Sequence, residues 1–334
     1  MSASKRRQSN SGPSQLWNRR EFCRATAALG WVAGSSGGLA SWAAETAPAA
    51  EPETRVADLF RSLDEPQRKL CVFPFDDPLR SKVDNNWLIT EARIGTHFRP
   101  DQQALIREIF LGLHSPEYAD AVMNQVQHDG GFDKCSIALF GQPGTGQFEF
   151  VLTGRHVTRR CDGDSVAGAA FGGPIFYGHA AASFNEPPDH PGNAYWYQAK
   201  RANELFQALD GKQRLLALRD EPRPERGTDT VALAANPAET GGLPVGEMTA
   251  DQQNLARQVL ADLLAPFRAV DRQESLKLIE QNGIDKLRFT YYKNLDIGSD
   301  GVWDVWQVEG PAMVWYFRGS PHVHVWVSCR ANPA

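Results

Sequence analysis

The chain has 334 residues, 42% of them apolar, and a formal net charge of −5. That length allows one large domain or two modest ones, and the composition is that of a globular protein rather than a disordered one. No interior stretch offers the 18 or more uninterrupted apolar residues of a membrane span, and the cations form no basic stripe, so nucleic acid is not an expected partner.

Residues 1–44 read as an export signal. Asn18-Arg19-Arg20-Glu21-Phe22-Cys23-Arg24 resembles the twin-arginine motif, and Ala25 to Ala44 is mildly apolar and rich in Gly, Ser and Ala. Ser41-Trp42-Ala43 supplies the small residues that a signal peptidase reads. This segment carries six cations against Glu21, which leaves −10 for the remainder. The expectation is an acidic periplasmic or extracellular protein, passed through the twin-arginine export machinery, with no stable membrane span after cleavage. That route carries proteins already folded, often around a metal or redox centre. Four cysteines remain after the signal: Cys71, Cys135, Cys161 and Cys329. None forms a C-x-x-C pair, and both disulfides and buried thiols fit their spacing.

The remaining chain reads as two copies of one unit, 45–190 and 191–334. Leu59-Phe60-Arg61-Ser62-Leu63-Asp64 returns as Leu205-Phe206-Gln207-Ala208-Leu209-Asp210, and DQQALIREIFLGLHSP from Asp101 returns as DQQNLARQVLADLLAP from Asp251. Gly131-Phe132-Asp133-Lys134 matches Gly283-Ile284-Asp285-Lys286, and Gly154 matches Gly310. Each copy predicts a first helix (Ala57 to Leu70; Ala194 to Leu218), then a second in which Leu105, Ile106, Ile109, Phe110 and Leu113 share a face. Pro100 suits the first turn of that helix, and Thr249 with Gln252 spells a capping box in the second copy. After a third helix the period changes to that of strands: Ser136 to Phe140, Gln147 to Thr153 and Val157 to Arg160, then Leu287 to Tyr292, Val302 to Val308, Met313 to Phe317 and His322 to Ser328. Gly141 to Gln147 reads as a hairpin loop. Helices followed by antiparallel hairpins predict an α+β fold, a tandem duplication packed as one body about a pseudo-two-fold axis.

The candidate chemistry lies in the histidines. His322 and His324 alternate on one face of the last strand, and His156 follows the strand Phe148 to Thr153. By the offset of 156, His156 corresponds to Ala312, and His322 and His324 to Val166 and Gly168. This one-sided placement points to a single asymmetric site between the halves. Two histidines at i and i+2 of a strand, with a third from a neighbouring strand, can hold one transition-metal ion, whether copper, iron or zinc. His179 is a further candidate ligand or proton shuttle after a Gly-rich turn, although a loop histidine is more often a surface group. Glu309, with Asp304 and Glu149, offers a carboxylate for a general base or outer partner. Arg155, with Arg159 and Arg160, offers a cation for an anionic substrate. Trp303, Trp306, Trp315, Trp326 and Tyr316 suggest an aromatic pocket wall. His97, His114, His128 and His190 read as structural or surface groups. Walker, dinucleotide-binding, G-x-S-x-G and H-E-x-x-H motifs are absent.

The run GRHVTRRCDGDSVAGAAFGGPIFYG, the downstream LDGKQR and the closing His322-Val323-His324 resemble the domain of unknown function 3500 family over most of the chain after the signal. The resemblance implies that Gly-x-His and His-x-His belong to one site, and that a second histidine commonly stands where this chain has Arg155; it implies no reaction. The expectation is an exported mononuclear metalloenzyme with a small-molecule substrate, redox chemistry ahead of hydrolysis. A non-catalytic ligand- or metal-binding protein is the alternative.

Overall fold

The computed structural model describes residues 51–179, 193–236, 239, 241–293 and 302–331. The export signal and His190 lie outside them. No described helix is long and apolar enough to cross a membrane.

The helices are α1 (Pro52–Ser62), α2 (Glu65–Cys71), α3 (Ile94–His97), α4 (Pro100–Gly112), α5 (Pro116–His128), α6 (Trp196–Gln207), α7 (Gly211–Ala217), α8 (Ala250–Leu264) and α9 (Ala269–Asn282). The strands are β1 (Val72–Phe73), β2 (Ser136–Gly141), β3 (Phe148–Gly154), β4 (Val157–Cys161), β5 (Ile175–His179), β6 (Leu218–Arg219), β7 (Leu243–Pro244), β8 (Arg288–Tyr292), β9 (Val305–Gly310), β10 (Met313–Arg318) and β11 (Val323–Cys329). They form one sheet in the order β1-β2-β3-β4-β5-β11-β10-β9-β8-β6, with β7 on β8. The pairing is antiparallel except at the two ends, where β1 with β2 and β6 with β8 run parallel. The α+β expectation is therefore met.

Each predicted first helix is two helices. The apolar period runs on through Leu63 and Leu209, but Asp64 and Asp210 each turn the chain out and restart it with a capping box closed by Gln67 and Gln213. These glutamines then reach the next long helix. Gln67 Nε2 donates to Gln102 Oε1 at 2.8 Å, and Gln213 Nε2 to Gln252 Oε1 at 2.9 Å.

The sheet has two unlike faces. On one, Leu152, Tyr177, Trp315, Val325 and Val327 pack with the helices in the main core. On the other, Phe176, Val314, Tyr316 and Trp326 pack with Val83 and Val231 from loops and short turns. The tryptophans expected to wall one pocket are thus divided: Trp306 and Trp315 fill the helix side, and Trp326 the loop side. They build cores. The four described cysteines are all free and buried, and burial pushes the thiols of Cys71, Cys135 and Cys329 up to about 12.

Candidate metal centre

The sheet's central seam is β5 against β11, and the site lies at its end. β5 is unpredicted by periodicity, since five residues after Gly-Gly-Pro read as loop; its pairing sets Gly178 opposite His324 and His179 opposite Val323. A Cβ on Gly178 would collide with Val323 O and stand 3.4 Å from His156 Cβ, so glycine is what lets the strand and the imidazoles approach. β3 and β4 are joined by a two-residue turn of Arg155 and His156, closed by the pair Gly154 and Val157. Asn86 N–H holds this turn by donating to Arg155 O at 2.7 Å. Gly154 is needed here too, because a Cβ would meet Cys135 Sγ at 2.6 Å.

This frame brings His156, His322 and His324 together. His324 Nε2 lies 3.1 Å from His156 Nε2 and 3.0 Å from His322 Nε2. One ligand nitrogen from each lies within 4.8 Å of the other two, and the ring centroids form a triangle of 5.0, 5.0 and 4.7 Å. All three are buried, with His322 the most exposed at 9%. Two nitrogens bound at about 2.1 Å to one ion, at angles near 90–110°, stand about 3.0–3.4 Å apart, so both neighbouring separations fit a shared ion. The group is positioned to bind a metal ion.

The outer nitrogens of two ligands are backed by carboxylates. His156 Nδ1 donates to Asp129 Oδ2, and His324 Nδ1 donates to Glu225 Oε2 at 2.8 Å. Each carboxylate faces an arginine: Arg155 Nε lies 3.5 Å from Asp129 Oδ1, and Arg318 Nε lies 3.1 Å from Glu225 Oε1. A carboxylate on Nδ1–H fixes the tautomer that turns the Nε2 lone pair toward a metal and raises its basicity. Neither carboxylate is visible in the sequence as a partner. Asp129 ends α5 before Gly130-Gly131 and reads as a helix stop; Glu225 sits in a Pro-bearing loop, 99 residues from His324.

The other candidates lie outside the three-histidine group, although the charges of Arg155 and His179 both reach Asp129. His179 is 2% exposed in a strand rather than on a surface loop. Its pairing with Val323 puts it on the helix side, opposite to His322 and His324, and it is not in the three-histidine group. Glu309 shares the loop-side face but lies two strands away along β9, where its Oε2 accepts from Arg223 Nη2 at 2.7 Å. Glu149 is bound by Arg80 and Arg160. Arg159 lies in the helix-side core, donating to His114 Nε2 at 3.0 Å and Tyr195 OH at 3.3 Å. Of the three candidate arginines, only Arg155 borders the site. A cavity of about 300 Å³ adjoins it, touching Asp129, Arg155 and His156.

Burial, together with the charges of His324 and His156, lowers His322 to about 3. Burial lowers His324 to about 4, against the pull of Glu225. In Asp129 and Glu225 burial acts upward, but the hydrogen bonds and charges of the histidines and arginines outweigh it and hold both carboxyls below their usual range. His322 and His324 are neutral and ready to ligate well below pH 6. Because their folded values lie under the unfolded value of about 6.5, the unfolded chain binds more protons as pH falls toward 4. Metal-free protein is therefore expected to lose stability as pH falls from about 6.5 to about 3. The slope approaches roughly 1.4 kcal/mol per pH step for each histidine protonated only in the unfolded chain, and loss of the carboxylate contributions adds to this at the acid end. Denaturant midpoints at pH 7 and pH 5 measure this, and equal midpoints would contradict the burial of neutral imidazoles.

The structure is thus an α+β protein with a buried three-histidine centre backed by two carboxylates. Residues 45–328 match the family described as protein of unknown function (DUF3500), and the chain belongs to that family. No curated protein and no solved structure matches it.

Proposed function

We propose that this chain is an exported mononuclear metalloprotein in which His156, His322 and His324 hold one transition-metal ion that acts on a small organic substrate. The observation that carries this reading is the convergence of three Nε2 atoms, two of whose rings are fixed from behind by Asp129 and Glu225. Neutral imidazoles suit copper, iron and zinc alike. Bound there, copper or iron supplies redox chemistry and zinc a water of lowered pKa; the twin-arginine motif favours the redox metals. The protein's own part is to hold the ligands in one tautomer, exclude bulk water and keep Arg155 and Arg318 as positive charges behind the carboxylates. Full-length chain exported by its native route is expected to carry about one equivalent of a transition metal. Protein that is metal-free and takes up none on titration would overturn the reading.

The alternative is a non-catalytic metal- or ligand-binding protein, favoured by the low exposure of all three histidines. Perturbation of the loaded centre's spectrum by added azide separates the two, since a closed, fully coordinated site does not respond.

We further infer that the scaffold is a tandem duplication of halves 45–190 and 191–334, related by a pseudo-two-fold axis at the β5–β11 seam. Support comes from the register of the ladders. Val72 pairs with Leu139 as Leu218 pairs with Tyr291, Ser136 with Thr153 as Arg288 with Glu309, and Val157 with Tyr177 as Met313 with Cys329. The paired capping boxes and glutamine bridges repeat likewise. On this register Tyr177 corresponds to Cys329, so the counterparts of His322 and His324 are Ala170 and Gly172, not Val166 and Gly168.

A further inference from the structure

We propose that the cavity beside Asp129 and His156 is a subsite for a small organic anion, a carboxylate on a compact apolar body. Its role as the substrate's subsite rests on the metal-centre reading above; the binding of the anion does not. The cavity, about 300 Å³, lies at the lower end of the size range of ligand pockets. Three cations line it, Arg93, Lys134 and Arg155, against a single carboxylate, Asp129. That carboxylate is already engaged, by His156 Nδ1, by Arg155 and by Gln125 Nε2 at 3.4 Å. Arg93 and Lys134 have no ion pair among the described residues. The wall is therefore net positive in a chain whose acids, 40, outnumber its 35 lysines and arginines.

The rest of the lining is mixed: Trp87, Leu88, Val126 and Val157 supply apolar surface beside the polar Asn86 and Gln125. Those apolar groups suit the carbon body of an organic anion better than a bare, strongly hydrated inorganic ion. Trp87 is itself held in place, its Nε1 donating to Thr158 Oγ1 at 3.0 Å. An anion seated between Arg155 and Lys134 would lie against His156 and Asp129, on the flank of the centre.

The test uses full-length protein, both as isolated and after chelator treatment, titrated with benzoate and with its neutral isostere benzamide. Benzoate is expected to bind about tenfold or more tightly than benzamide in both preparations. Lys134→Gln and Arg93→Gln are each expected to weaken benzoate by roughly threefold or more, to leave benzamide unaffected and to leave metal content unchanged. Equal binding of the two compounds, or benzoate affinity indifferent to both substitutions, would overturn the proposal. Anion selectivity in protein that carries and accepts no metal would retain the subsite while removing the metal reading, so the two fail separately.

Discussion

His324→Ala is expected to strip the protein of metal, from about one equivalent to less than a tenth of that, with affinity reduced roughly a hundredfold or more, beyond the loss typical of an outer partner. His324 is the middle member of the group: its Nε2 is within 3.1 Å of both other ligand nitrogens. Without it, only His156 and His322 remain, two imidazoles with ring centroids 5.0 Å apart and one ligand short of a facial set. Glu225, released from the imidazole, keeps Arg318 as its partner, so the substitution leaves no unpaired buried charge and the fold is expected to persist. Metal analysis and circular dichroism on the same sample check both statements. His179→Ala is the comparison variant, since His179 faces the helix side; it is expected to retain the ion. Loss of metal in that variant and not in His324→Ala would invert the assignment.

The second large effect is expected from Asp129→Asn and Glu225→Gln. Each should lower metal affinity by about 10- to 100-fold. An amide oxygen still accepts from Nδ1–H, so the ring keeps its tautomer and direction, but the negative charge that raises the basicity of Nε2 is gone. These variants therefore separate orientation from charge. If orientation alone mattered, the amides would match the wild type and only Asp129→Ala and Glu225→Ala would fall. Competition against a chromogenic chelator gives the affinities. Asp129→Asn also removes the negative charge 3.5 Å from the half-exposed Arg155, so its loss should be reduced at high salt more than that of Glu225→Gln.

Much of the fold is legible from local chemistry. The helix face of Leu105, Ile106, Ile109 and Phe110, the Thr249 capping box and the alternating strands each reflect interactions within a few residues. The breaks at Asp64 and Asp210 are written in the sequence too, as Asp-x-x-Gln, but the apolar period runs across them and dominates a reading by periodicity. β5 escapes that reading because Ile175 to His179 is short and follows two glycines and a proline; it is a strand because β4 and β11 flank it. The ligands are legible for the same local reason that the hairpins are: His-x-His fixes two imidazoles on one face. Asp129 and Glu225 carry no such mark. They reach the histidines through contacts spanning 27 and 99 residues, and no local pattern encodes a meeting at that distance. Glu309 and Glu149, attractive as strand carboxylates, are claimed instead by arginines, Arg223 for the first and Arg80 and Arg160 for the second, which spacing along the carboxylate's own strand does not reveal.

The seam between β5 and β11 joins Ile175 to Val327 and His179 to Val323, partners about 150 positions apart, the kind of contact that forms late because so much chain must be closed to make it. A slip of one residue there would turn His322 and His324 to the helix-covered side and scatter the ligands. On the metal-centre reading, occupancy by an ion would thus be a proofreading signal for the whole chain: only a molecule whose last strand has docked in the right register would have anywhere to put it.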